Sequence, residues 1–164
     1  MKNGSPEKLL EGLVGKSPWQ VSLGAGSVVS MEFGAHDPRQ SGARIHGEWS
    51  LWLYVCSWRL ETPNAVVVGC EDDRDRIRKC FRERRWGPIS EIKVLRPALD
   101  LEITFEDQST LRTFSVNATG PDEQQEQWIV YTPHLRSIIA KGGLLAFEEY
   151  PVAVEQSSTA DGPP

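Results

Sequence analysis

The chain has 164 residues, 39% apolar and 25% charged, a size and balance that suit one globular domain with a real core. Eighteen basic and 23 acidic residues leave a net charge of −5, so the surface as a whole should not attract nucleic acid or anionic lipid. No apolar run approaches the ~20 residues that span a bilayer, which sets aside a membrane role through helices.

The first residues, MKNGSPEKLLEG, are polar and carry no hydrophobic leader segment, and the expected location is the cytoplasm. Residues 1–8 are expected to be a flexible N-terminus, with Ser5-Pro6 able to open a short helical turn through Leu9 and Leu10. Trp19–Leu23 and Ser27–Phe33 read as the first two strands, turning at Gly24-Ala25-Gly26. Ala35–Arg44 (AHDPRQSGAR) is a polar loop and the longest insertion. Binding tends to sit on loops held by a rigid scaffold, which marks His36, Asp37 and Arg39.

Glu48–Leu60 (EWSLWLYVCSWRL) is the most apolar stretch. Read as one strand, it puts Trp49, Leu51, Leu53 and Val55 on one face and Trp52, Tyr54, Cys56 and Trp58 on the other. A strand apolar on both faces is covered twice, or turns an aromatic face to a partner, a second copy or an aromatic ligand. Packing under a helix is the most economical of these. Trp49, Trp52, Tyr54 and Trp58 are therefore the candidate interaction surface, together with the three loop residues.

Ala65–Gly69 is a short strand, and a helix is predicted over 72–85. Asp72 or Asp73 can cap it, and Ile77, Cys80, Phe81 and the stem of Arg84 form the stripe that packs on the sheet. Seven basic residues against Asp75 and Glu83 give Arg74–Arg85 a formal +5, leaving −10 on the rest of the chain. Long basic stems at a helix C-terminus have a structural use, and the sharper alternative is a nucleic-acid or acidic partner. Gly87-Pro88 ends the helix.

Beyond it, Leu99, Leu101, Ile103 and Phe105 alternate with Asp100, Glu102, Thr104 and Glu106, the period of a half-buried strand. Leu111–Val116 returns after a polar turn. Leu135–Ile139 and Leu144–Phe147 form a last hairpin around Lys141-Gly142-Gly143, and 151–164 has the composition of a disordered tail.

The layout is heard twice. Val29, Met31 and Phe33 stand where Leu101, Ile103 and Phe105 stand later, and Trp58-Arg-Leu-Glu-Thr-Pro63 matches Trp128-Ile-Val-Tyr-Thr-Pro133. The predicted fold is α+β: two antiparallel β-rich halves, 13–63 and 85–133, from a degenerate internal duplication, with one main helix between them in a single domain spanning 9–150.

Catalytic constellations are missing. His36, His46 and His134 have no metal-ligand spacing, and neither a G-x-S-x-G nor a phosphate-binding glycine loop occurs. Asp100 and Glu102 share a strand face, where acids serve solubility. Cys56, Cys70 and Cys80 show no C-x-x-C and read as buried thiols. No cofactor, no metal and no enzyme activity are expected.

Gly87–Ile92, Leu101–Asp107 and Trp128–Val130 fit the pattern "helix, G-x-x-V-x-x-V, L-x-[LI]-x-F-x-D, W-x-L" of small bacterial domains of unknown function built as two β-rich halves. The chain resembles them over about 10–148. Some of them are similar to immunity proteins of bacterial toxin systems, which act by binding one toxin. That resemblance implies a non-catalytic protein-interaction module, with a toxin or a second copy as partner. The alternatives are a small-ligand binder or unrecognised enzyme with a cleft between the halves, and nucleic-acid binding through helix 74–85.

Overall fold

Ser5 accepts the Lys8 N–H, and Pro6 needs no donor at the first helical position, so the chain turns helical as α1 (Pro6–Leu10) inside the segment expected to be loose. A 3-10 turn, Glu11–Leu13, follows, and Leu10 and Leu13 are buried. The structure is a computed structural model and describes residues 5–36, 46–122, 125–133 and 136–149.

Three strands come next: β1 (Pro18–Leu23), β2 (Val29–His36) and β3 (Gly47–Leu53). The hairpin β4 (Ser57–Thr62) and β5 (Ala65–Gly69) precedes α2 (Arg74–Glu83). Then come β6 (Ile89–Leu95), β7 (Asp100–Phe105), β8 (Thr110–Phe114), β9 (Glu126–Tyr131), β10 (Arg136–Lys141) and β11 (Leu144–Glu149). The fold is mostly β with two helices, broadly α+β. One sheet, sheet A, has the order β1-β2-β3-β9-β10-β11; the other, sheet B, has β5-β4-β8-β7-β6. Every pairing is antiparallel.

Sheet A joins the meander β1-β2-β3 of the first half to the three C-terminal strands β9-β10-β11, and sheet B joins the hairpin β5-β4 of the first half to the meander β8-β7-β6 of the second. The inner faces share one core, with Phe33, Leu51 and Trp128 from sheet A meeting Trp58, Leu60 and Phe105 from sheet B. α1 packs against β6 and α2 against β1, so each helix serves the opposite half. The halves also join where Gly15 donates to Ile89 O (2.8 Å) and Ile89 donates to Lys16 O (3.0 Å).

Glu48–Leu60 is two strands in two sheets rather than one. At Tyr54–Cys56 the chain crosses over, with Tyr54 and Val55 donating to the carbonyls of Gln127 and Glu126. The crossing resets the alternation: Val55 is exposed, while Cys56, Trp58 and Leu60 point into the core. The long helix is shorter than 72–85, because Asp73 accepts the N–H groups of Asp75 and Arg76 and fixes the start at Arg74. Ile77 and Phe81 are its buried stripe, and Cys80 is only half-buried.

Candidate interaction surfaces

Three outward surfaces differ in what they leave unpaired. On sheet B the outer face is a ladder of compensated charge. Arg59, Arg112, Glu102 and Lys93 stand in register across β4, β8, β7 and β6. Arg59 Nε lies 2.7 Å from Glu61, Arg112 Nη1 lies 2.6 Å from Glu102, and Arg112 Nε bonds Glu61. Burial alone would raise the Glu61 carboxyl, but the two guanidinium groups outweigh it and hold Glu61 below the ordinary glutamate range. Asp100 accepts the Ser115 N–H at 2.6 Å, and burial pushes its carboxyl up. Asp100 and Glu102 thus have separate partners and do not work as a carboxylate pair.

The outer face of sheet A is aromatic. The Trp52 ring stacks on Tyr54 (5.6 Å, 26°), meets Tyr131 edge-on (5.8 Å, 78°) and lies 6.1 Å from His46. His46 Nδ1 is 3.1 Å from the buried Glu32 carboxylate, which also accepts the Gly47 N–H at 3.0 Å. Ile129 and Ile139 are buried on this side too, outside the main core. Burial and then the neighbouring Tyr54 and Glu126 push the Tyr131 phenol up to about 12. This face is packed at its centre, where Glu32 takes up both His46 and the Gly47 N–H.

The third surface is a cleft of about 670 Å³ between β1 and α2. All six residues of β1 line one wall, and Arg78, Phe81, Arg82, Arg84, Arg85 and Trp86 line the other. Among the described residues β1 is an edge strand paired only with β2, and the register slips between Pro18 and Gln20. Trp19 sits at that bulge, where an extra residue re-aims its side chain. Of the six tryptophans only Trp19 is exposed, at 39%. Its ring centroid lies 4.7 Å from His36.

The basic residues of α2 divide by what they already hold. Arg74 donates to the carbonyls of Gly24 and Gly26, Arg76 pairs with Asp72, and Arg84 bonds Asp107 and Ser109 while lying 5.0 Å over the Trp86 ring. Among the described residues Arg78 pairs only with Asp75, itself 91% exposed at its side chain. For Arg82 and Arg85 no side-chain hydrogen bond or ion pair occurs among the described residues.

The structure scatters the expected interaction surface. Trp52 and Tyr54 share the outer face of sheet A, whereas Trp49 faces inward against Gly12, whose added Cβ would stand 2.3 Å from the indole. Trp58 is 1% exposed and offers no surface, because the sheet change at Tyr54–Cys56 turns it inward. His36 is exposed beside Trp19, while Asp37 and Arg39 lie outside the described residues, as do His134 and the tail 151–164. Sequence reasoning missed Trp19 and Trp86 as cleft residues; the charge of the helix was the one signal that pointed there. Among the described residues no three His, Cys, Asp or Glu side chains gather into a cation site. No described helix is long and apolar enough to cross a membrane.

No protein-family profile, curated protein or solved structure matches the chain.

Proposed function

We propose that the chain is a non-catalytic protein-interaction module whose working surface is the cleft between β1 and α2. One observation carries this reading. An exposed Trp19 shares the cleft with Arg82 and Arg85, which hold no partner among the described residues, whereas the outer faces of both sheets have largely paired or packed their groups. Tryptophan and arginine are the side chains that most often dominate binding energy at interfaces. An immunity-type inhibitor of one toxin, acting in the cytoplasm, is the form of module that the sequence resemblance favours.

The test is photo-cross-linking with the full chain carrying Trp19→benzoylphenylalanine, compared with the same chain bearing Arg82→Glu and Arg85→Glu. A single protein cross-linked by the first and lost by the second is expected, encoded beside this chain if the module is immunity-type. A chain that cross-links to nothing removes the reading. A small anionic ligand is the second reading, because 670 Å³ lies within the range of small-molecule pockets.

We further propose that the two halves descend from one duplicated unit. Trp58 and Trp128 are both buried, and their indole N–H groups donate at 2.7 Å to Ser27 O and Leu99 O, the residues two places before Val29 and Leu101. The bulge opposite Phe33 and Glu32 in β1 has a counterpart opposite Phe105 and Thr104 in β6. The crossed helices support the same origin.

A further inference from the structure

We infer that the cleft accepts an acidic, extended peptide segment, which adds to the free edge of β1 as a seventh strand of sheet A; this rests on the interaction-module reading above. An edge strand exposes backbone N–H and C=O groups on its unpaired side, and strand addition uses them for affinity. Natural edges are guarded by charged side chains, by proline or by a bulge. Of the four edge strands among the described residues, β6 carries Glu91 and Lys93 and β11 carries Glu148 and Glu149, whereas β1 (PWQVSL) and β5 (AVVVG) carry no charge. Pro18 and the bulge guard only the start of β1, which leaves Gln20–Leu23, and of the two uncharged edges it is β1 that lines the cleft with the arginines. Its counterpart comparison is sharper still. Where β1 bulges at Trp19, β6 bulges at Ser90, whose hydroxyl simply donates to Thr104 O.

The facing wall decides the charge of the guest. Arg78 and Arg82 stand one turn apart on the cleft side of α2, and Arg85 joins them from the segment that follows the helix. Arg82 and Arg85 have no hydrogen bond or ion pair among the described residues, and such guanidinium groups suit carboxylates. α1, which packs on β6, has only Lys8 among its five residues, so the basic wall belongs to β1 alone of the two related strands. The net charge of −5 does not oppose this, because repulsion from distant acids is screened beyond about 8 Å at physiological salt.

A nucleic acid fits less well. It needs aromatic faces in succession for its bases. Trp86 is held edge-on by Phe81 (5.9 Å) and Phe105 (5.2 Å), and Trp19 is already against His36. A phosphate backbone also brings no donors for the carbonyl groups of a strand edge, which a peptide supplies.

The probe is a fluorescein-labelled heptapeptide of alternating valine and glutamate, titrated against the full chain by anisotropy at low and high salt. Binding is expected to weaken by at least about tenfold, or 1.4 kcal/mol, when lysine replaces glutamate in the peptide. A similar loss is expected when alternate peptide nitrogens are methylated, and when the chain carries Arg82→Glu with Arg85→Glu. Circular dichroism of that variant should match the parent, since neither side chain makes a hydrogen bond or ion pair among the described residues. Equal binding of the methylated peptide would overturn strand addition, as would displacement by oligouridylate or no binding at any accessible concentration. A Trp19 cross-link lost in the arginine variant, together with no peptide binding, would keep the interaction module and discard the extended acidic guest.

Discussion

Trp58 and Trp128 each bury a large ring and each satisfy one carbonyl that no other group reaches in the described structure. Phenylalanine at either position keeps much of the apolar contact and orphans that carbonyl, at a cost of about 1–3 kcal/mol. Trp58→Phe and Trp128→Phe should therefore lower stability by similar amounts in urea unfolding. If one substitution proves neutral, that indole is merely filling space. Glycine sites divide by the same attention to atoms. A Cβ at Gly47 would stand 2.3 Å from Phe33 O, a backbone atom, whereas at Gly24 the closest approach is an ordinary 3.5 Å to Val28. Gly47→Ala should destabilise strongly, and Gly24→Ala hardly at all. At Cys56 burial, then Asp100, pushes the thiol up to about 12, so the reactive thiolate is scarce at neutral pH. In an iodoacetamide time course Cys56 should label only on unfolding, later than the half-buried Cys70 and Cys80.

At the scale of elements, the charged ladder of sheet B gives the molecule an acid-sensitive edge. Glu61 has a folded pKa below its unfolded value of about 4.3, so its contribution is complete above that value and disappears as pH falls through the folded one. Asp107 behaves alike: burial would raise it, but the Ser109 hydroxyl and N–H with Arg84 outweigh that. The stability gap between the parent chain and Glu61→Gln should then be widest near neutral pH and close on acidification below the glutamate range. A gap that is constant with pH would show that Glu61 acts by packing. These strands and α2 were legible in sequence, because alternation in Asp100–Phe105 and the cap at Asp73 are local signals. The break at Tyr54–Cys56 was not. It contains no glycine or proline, and what makes it is the pair of carbonyls on β9, far along the chain. The acidic and basic groups of the surface could be counted from the sequence, but not which of them were spent on one another.

The cleft shows why a candidate site can stay hidden until the whole molecule is assembled. Whether β1 is an edge depends on β3 choosing β9 as its second neighbour, a pairing such as Leu51 with Val130 that no local pattern encodes. The aromatic stretch drew attention in sequence, yet its side chains went to the core and to a packed face, while a lone bulged Trp19 reached solvent. The same interleaving sets the folding unit. Sheet A lacks β9, β10 and β11 without the second half, sheet B lacks β4 and β5 without the first, and each helix packs on a strand of the opposite half. Neither half can bury its inner face alone, so conformational entropy should win in isolation. Cutting the chain between Gly69 and Arg74 and expressing fragments 1–71 and 72–164 separately should give two chains without a cooperative unfolding transition. Mixing them should restore the parent circular dichroism and one shared transition. A fragment that melts cooperatively by itself would show that the halves are independent units resting on each other, and the shared core would then be a contact rather than the cause of the fold.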